Sequence, residues 1–462
     1  MDDSGVGYDI LKDPPRVAAP KFSDQALALE FAGLHEGDLR YVAQWGQWRG
    51  WNGKLWELDT TLAAYDHVKK ICREAANSAE KPAQKQELAS AKTAAAVERL
   101  ARSDRRMAIT VEQFNSDPWL LNTDNGVVDL RTGKLCQHAP EFCMTKITTA
   151  PAAGECPRWM AFLERVTDGN AELIEFLQRY TGYCLTGSVR EHVFAFLYGT
   201  GANGKSVFIN TISKILGDYA TTAPMEMLLV AQGERHPTDI AMLHGARLVT
   251  AQETQKGRRW DEARLTNLTG GDRLKGRFMR QDFFEFEPTH KLLMAGNDKP
   301  SLYKVDEGLR RRFLVVPFTV QIPPSERNLR LFEQLKDEHG GILCWMIEGC
   351  LKWQADGLQV PPVVREATND YLAEQDVQGQ WLKECVDVTR NRNDVELLQK
   401  LFASWQGWAK DRGYAVGTEK GLSAELAKTF EGGQHSRTRR ALFRGLRLKG
   451  DATMEMELEL VG

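Results

Sequence analysis

The stretch Gly199-Thr200-Gly201-Ala202-Asn203-Gly204-Lys205-Ser206 constrains this chain more than any other. It follows the apolar run Val193 to Tyr198 and opens an amphipathic segment from Val207 to Leu216, so the local order is strand, glycine-rich loop, helix. Glycines at these spacings let backbone N–H groups turn inward around a polyphosphate. Lys205 brings a mobile positive charge to the β- and γ-phosphates, and the Ser206 hydroxyl is a hard oxygen ligand for Mg²⁺. The helix N-terminus adds partial positive charge. We therefore expect an ATP-type site with Mg²⁺, built from Gly199, Gly201, Ala202, Asn203, Gly204, Lys205, Ser206 and Val207.

Composition narrows what such a site serves. The 462 residues are enough for several domains, and 42% hydrophobic with 27% charged residues is globular usage. A net charge of −3 gives no whole-molecule attraction to nucleic acid, so polyanion binding must come from local basic patches. No apolar run approaches the roughly 18 residues of a membrane span, and the acidic start Met1-Asp2-Asp3 is unlike a signal peptide. The expectation is a cytoplasmic protein without a membrane partner. Eight cysteines without a C-x-x-C pair fit reduced thiols, and the Cys136, His138, Cys143 spacing matches no usual zinc knuckle.

Residues 1–22 read as a flexible arm, with order starting at Ser23 as an N-cap. Trp45, Trp48, Trp51 and Trp56 flank Asn52-Gly53, a hairpin signal; cross-strand aromatic packing is favoured over a base-stacking platform. Residues 60–107 read as helical, and 114–136 as a β hairpin module turning at Arg131-Thr132-Gly133. Two helices follow, Arg158 to Val166 and a segment carrying Leu173, Phe176, Leu177 and Tyr180.

Beyond the glycine-rich loop, Gly217 suits a helix stop. The buried strand Arg247 to Ala251 delivers Gln252 and Glu253 at its C-terminal end, where ligand-facing residues of open α/β sheets sit. Glu253 is the candidate to orient and deprotonate an attacking water, and a metal-site candidate with Ser206. A third strand, Lys291 to Ala295, delivers Asn297, placed either to hold that water or the γ-phosphate or simply to form a turn. Arg310-Arg311-Arg312 precede the strand Phe313 to Val316 and are either a solvated patch or a finger for a neighbouring subunit's γ-phosphate. Between these strands, residues 270–286 read as a hairpin whose Lys275, Arg277 and Arg280 suit phosphate contacts.

Taken in order, the glycine-rich loop, Leu248-Val249-Thr250-Ala251-Gln252-Glu253-Thr254, Leu268-Thr269-Gly270-Gly271-Asp272, Ala295-Gly296-Asn297-Asp298-Lys299-Pro300 and Arg311-Arg312 resemble superfamily 3 helicases, specifically the D5-type module of phage and plasmid P4-family primases. Asp117-Pro118-Trp119-Leu120-Leu121-Asn122, Gly126 to Leu130 and Gly182 to Gly187 are similar to the D5 N-terminal region. The resemblance implies an α/β P-loop, AAA+-like ATPase core, with a D5_N-like α+β region before it. It also implies a ring, a homo-hexamer, moving 3′ to 5′ on single-stranded or forked DNA in the replication of a phage, prophage or plasmid in a bacterial host. Lys205 and Ser206 become the Walker A pair, Glu253 the Walker B acid, Asn297 sensor 1, and Arg311 or Arg312 the finger in trans. Lys275, Arg277 and Arg280 fall on the central DNA-contacting hairpin.

Two departures matter: Gln252 stands where many relatives pair a second acid, and no D-x-D-like pair upstream suggests a primase, so priming falls to a separate primase or polymerase. The domain expectation is 1–22 arm, 23–150 D5_N-like region, 151–189 helical collar, 190–360 ATPase core and 361–462 winged-helix-like domain. In the core, Leu331 to Gln354 reads as one helix. In the last domain a helix from about Asp394, a second near Ser423 and a hairpin from Ala441, its return strand at Met454 to Leu460, carry a basic run from Arg437 to Lys449. The rival functions are a nucleotide-dependent assembly factor that does not unwind DNA and a small-molecule kinase, which lacks an evident acceptor pocket.

Overall fold

The computed structural model describes residues 19–449, apart from 232–236, 253–256, 281, 303–306, 390, 415 and 436–437. The N-terminal part starts with helix Asp24–His35, whose Ser23 Oγ accepts the Ala26 amide at 3.2 Å. A four-stranded sheet follows in the spatial order Trp56–Leu58, Gln47–Trp51, Leu39–Val42, Ala108–Ile109. The Asn52-Gly53 turn joins Trp51 to its cross-strand partner Trp56. Trp48 and Trp56 are buried, and their indole N–H groups donate to Glu98 Oε1 (2.6 Å) and the Pro140 carbonyl (3.0 Å). Cross-strand packing thus takes most of this tryptophan cluster. The helical stretch divides into Ala63–Ser78, Pro82–Leu88 and Ala91–Ala101. A three-stranded meander, Leu120–Thr123, Gly126–Asp129, Lys134–Cys136, completes the region, with its second turn at Arg131-Thr132-Gly133.

The central unit opens with helices α1 (Pro157–Thr167) and α2 (Ala171–Cys184). Its sheet has five strands: β1 (Phe194–Tyr198), β2 (Ala220–Thr222), β3 (Leu248–Gln252), β4 (Lys291–Gly296) and β5 (Phe313–Pro317). All pair in parallel, in the order β5-β1-β4-β3-β2. Strands buried on both faces need near-continuous apolar sequence, which Phe194 to Leu197 and Leu292 to Ala295 provide. Helix α3 (Lys205–Leu216) follows β1 and ends at Gly217.

Helix α4 (His339–Asp356) lies across α2 at very close range. A Cβ on Gly182 would meet the Cys350 amide nitrogen at 2.1 Å, and one on Gly349 would meet the Gln178 carbonyl at 2.0 Å, so glycine alone fits at this crossing. Tyr180, fully buried on α2, ties the helix to the sheet by donating to the Leu292 carbonyl (2.7 Å) and accepting from the Ala195 amide (3.2 Å). The single helix expected from Leu331 to Gln354 is instead Leu331–Leu335, a 3₁₀ turn Lys336–Glu338, and α4. The break has a tertiary cause. Gly340 and Gly341 sit against the backbone of Ala153 and Glu155, and the Glu338 carboxylate accepts the Arg158 and Trp159 amides at the start of α1.

Helix α5 (Pro362–Gln375) starts on the proline pair and packs on β5, where Thr368 Oγ1 accepts the Val315 amide at 2.9 Å. The C-terminal part contains helices Val377–Cys385, Leu398–Asp411 and Glu419–Leu426. They pack around Trp381, Leu401, Trp405 and Trp408. The first turn expected of the Asp394 helix is a strand, Val395–Leu397, paired with Ala441–Arg444. Gly445, at φ +74°, separates that strand from Leu446–Leu448, which pairs with Val386–Val388 instead. The expected return strand Met454 to Leu460, the Arg437 end of the basic run and almost all of the 1–22 arm lie outside the described residues.

Candidate functional site

Four strand ends converge at the C-terminal edge of the sheet. The register pairs Tyr198 with both Gly296 and Pro317, so Gly199, Asn297 and Phe318 emerge side by side. Gln252, opposite Ala295, closes the row. The chain leaves β1 for the far edge and returns through β3 and β4 before adding β5 on the other side of β1. Such a reversal opens a crevice at strand ends, where open α/β sheets bind ligands.

The glycine-rich loop occupies this crevice. A Cβ on Gly199 would lie 2.0 Å from the Phe318 carbonyl oxygen, and Gly204, at φ +85°, would drive one to 2.6 Å from Val166 of α1. Above Gly201 there is open space. Gly204 is the N-cap of α3 and brings no side-chain acceptor, so the first-turn amides of Lys205, Ser206 and Val207 are uncapped. Ser206 is exposed at the same turn.

Lys205 is 5% exposed, and its Nζ donates to the Gly199 carbonyl (2.7 Å), Asn203 Oδ1 (2.9 Å) and Asn297 Oδ1 (3.1 Å). Every partner is neutral. Burial without a carboxylate pulls the ammonium below the usual lysine range. A desolvated cation on neutral dipoles beside uncapped amides and an open loop has the donor set that a polyphosphate requires. The group fits these residues.

A strap after β5 fastens the loop from the other side. The Asn203 amide donates to the Phe318 carbonyl (2.7 Å), Gln321 Nε2 to Thr200 Oγ1 (3.1 Å), and the Ile322 N–H to the Ala202 carbonyl (2.9 Å). Sequence reasoning missed this strap because two of its three acceptors are backbone carbonyls. It also missed Asn210, whose Oδ1 accepts from Gln252 Nε2 at 2.8 Å and so holds the end of β3 against α3. Glu253 lies outside the described residues.

The remaining candidates lie elsewhere. Arg310, Arg311 and Arg312 stand at the N-terminal end of β5, one strand length, about 16 Å, from the loop of the same chain. Arg310 lies 3.8 Å from Glu307, and Arg312 buries Nε and Nη1 without a hydrogen bond. Arg311 is exposed and makes no ion pair among the described residues.

Lys275, Arg277 and Arg280 belong to the hairpin Leu274–Gly276 and Phe284–Phe286. Lys275 and Arg277 bracket the half-exposed Phe283 ring at 5.4 and 4.7 Å, Phe278 stacks on Phe284, and Met279 is 70% exposed. Arg280, at φ +61°, sits in the tip. His138, of the trio weighed for metal, bonds the Thr123 carbonyl, and among the described residues no group of three or more His, Cys, Asp or Glu side chains is arranged to hold a metal ion. No helix of the described residues is long and apolar enough to cross a membrane.

Comparison with known proteins adds similarities of sequence and fold. Residues 28–168 match the model of the D5 N-terminal-like family, and residues 197–312 that of a family of unknown function, DUF5906. A putative helicase of Acanthamoeba polyphaga mimivirus is 23% identical over 328 residues, covering 65% of this chain and 34% of the relative. A putative helicase of frog virus 3 is 26% identical over 279 residues, 55% of this chain and 28% of that one. A putative primase of African swine fever virus is 24% identical over 348 residues, 70% and 36%. The chain therefore spans about a third of the length of the curated relatives it matches. Among solved structures, the apo C-terminal region of NrS-1 superposes with a TM-score of 0.52 at 10% identity, over 92% of this chain and all of that one, which is a likeness of fold. With a D5 N-terminal-like region ahead of the parallel sheet and its glycine-rich loop, and with these viral relatives, the chain is similar to the D5-like primase-helicases.

Proposed function

We propose that this chain is the ATP-driven motor of a DNA replication helicase. The observation that carries the reading is Lys205: a buried ammonium held by neutral oxygens from β1, the loop and β4, next to the uncapped start of α3. In this reading the α3 amides and Lys205 bind the β- and γ-phosphates, and Lys205 leaves its three oxygens to do so. Asn297 is thereby released to face the γ-phosphate or the attacking water. Ser206 and Glu253 would hold Mg²⁺, which would supply neutralisation of charge on the phosphoryl oxygens. Glu253 orients and deprotonates the water.

The reading includes a ring, with six copies as the expectation, because no arginine of the chain reaches its own loop from the start of β5. Arg311, exposed and without an ion pair among the described residues, is the better finger for the neighbouring copy's γ-phosphate. The cationic, aromatic hairpin carries single-stranded DNA, its lysine and arginines on phosphates and Phe283 against bases, with 3′ to 5′ movement as the family resemblance implies. The C-terminal helices and strands form a winged-helix-like accessory domain.

The test is steady-state ATP hydrolysis with and without single-stranded DNA, for wild type, Lys205→Ala and Lys275→Ala/Arg277→Ala. The expected result is DNA-stimulated turnover that vanishes in the first variant, with a stimulation ratio near one in the second. Turnover indifferent to DNA in every active form overturns the motor reading in favour of a nucleotide-dependent assembly factor.

A further inference from the structure

A second cationic pocket lies at the opposite edge of the central sheet. It has a volume of about 300 Å³ and is walled by Lys146, Tyr219, Gly245, Arg247 and Thr289, with Gly271 and Glu287 from the two ends of the DNA-hairpin segment. Tyr219, Arg247 and Thr289 each precede a strand of the parallel sheet, which sets this pocket a strand length from the glycine-rich loop. Lys146 comes from the N-terminal region. The pocket is thus a junction of three parts of the molecule.

Its charges are out of balance. Arg247 is 4% exposed, lies over the Tyr219 ring at 4.5 Å, and donates to the Leu185 and Leu120 carbonyls at 2.6 and 2.8 Å. Lys146 donates to the Asp218 carbonyl at 2.9 Å. Neither makes an ion pair among the described residues. Burial lowers both cations below their usual range; for Lys146 the Asp218 carboxylate works against that fall and Arg247, a like charge in the same space, adds to it.

No carboxylate nearby forms an ion pair with either cation among the described residues, although Asp218 acts on Lys146 from a distance. Asp117 is held by Arg131 at 3.0 Å, Asp218 Oδ2 accepts the Ile147 amide, and Glu287, at the rim, faces Arg273 at 3.5 Å. A buried guanidinium and a partly buried ammonium, hydrogen-bonded only to carbonyls, line one pocket, and an anion between them offsets the cost of their desolvation.

We propose that this pocket binds a phosphoryl group, as a site separate from the glycine-rich loop and positioned to sense or set the base of the DNA hairpin. The inference does not rest on the nucleotide reading of the loop. Two sources carry this chemistry, the backbone of a DNA strand and a free phosphate ester.

The experiment uses the full chain in a Lys205→Ala background, which removes the loop's own phosphate grip. Inorganic pyrophosphate is titrated by calorimetry, and a labelled single-stranded oligonucleotide by fluorescence anisotropy. Lys146→Gln is expected to weaken pyrophosphate about tenfold or more, as a lost charge-assisted contact does. Glu287→Gln, at an exposed rim position, is expected to tighten it about threefold. A purely structural role for these side chains moves neither affinity in that pattern. If the oligonucleotide competes with pyrophosphate and weakens in step with Lys146→Gln, the ligand is the DNA backbone; if only pyrophosphate responds, it is a free phosphate ester. Absence of saturable pyrophosphate binding, or affinities unmoved by both substitutions, overturns the proposal, and Glu287→Gln alone decides it if the lysine variant does not fold.

Discussion

Lys205 and Lys291 show how one residue type serves two ends of a sheet. Lys205 is buried at the strand ends, where its oxygens are exchangeable. Lys291 is buried at the strand starts, under the Thr186 and Thr289 carbonyls and beside the Tyr183 ring, and burial pulls it down to about 7. The unfolded chain keeps a lysine near its ordinary value of about 10.4, so between these values it binds more protons than the native state. Native stability should therefore climb as pH rises from about 7 toward 9. In Lys291→Met the climb should flatten, as read by urea denaturation across that range. A second residue-scale prediction concerns Gly204. Alanine there must adopt φ +85° and place a methyl against Val166 and Phe162, so Gly204→Ala should cost about 1–3 kcal/mol of stability besides displacing the loop. Denaturant midpoints and nucleotide affinity report the two effects separately.

Among elements, the hairpin makes the sharpest prediction. Phe283 stands half-exposed between two cations, the arrangement that stacks a base while phosphates are gripped, so Phe283→Ala should weaken single-stranded DNA by about 1–3 kcal/mol in anisotropy titrations. That hairpin was legible because alternation and charge are local properties of a sequence. The loop and strands β1, β3, β4 and β5 were legible for the same reason, each being a short apolar run with a marked end. What stayed hidden is tertiary. The break before α4 arises where Gly340 and Gly341 meet a distant backbone, and the strap at Phe318 to Ile322 works largely through carbonyls that every residue possesses. The three arginines were equivalent in sequence; their surroundings distinguish them, one beside Glu307, one exposed, one with two buried guanidinium nitrogens. Nor could strand spacing show that Lys146 and Arg247, about a hundred positions apart, share one pocket.

At the scale of the whole molecule, the proposed ring would turn the separation between the loop and the arginines into catalysis shared by neighbours. Lys205→Ala and Arg311→Ala chains should each be inactive alone. Mixed in equal amounts, they should recover about a quarter of wild-type turnover, since random assembly pairs an intact loop with an intact arginine at one interface in four. No recovery after subunit exchange argues for a site complete within one chain. The strand β5 then acquires a meaning beyond the sheet. At one end it carries the arginines, at the other the strap laced onto the loop, and between them it is bonded to β1 along its whole length. A displacement imposed on the arginines by the next copy's nucleotide has a stiff path of one strand to this copy's own loop. Linkage makes the traffic reciprocal: whatever factor the neighbour's nucleotide applies to binding here, binding here applies to the neighbour. In the proposed closed ring, that reciprocity would make nucleotide affinity at each subunit depend on what the one beside it holds, so that sites around the circle would not fill independently.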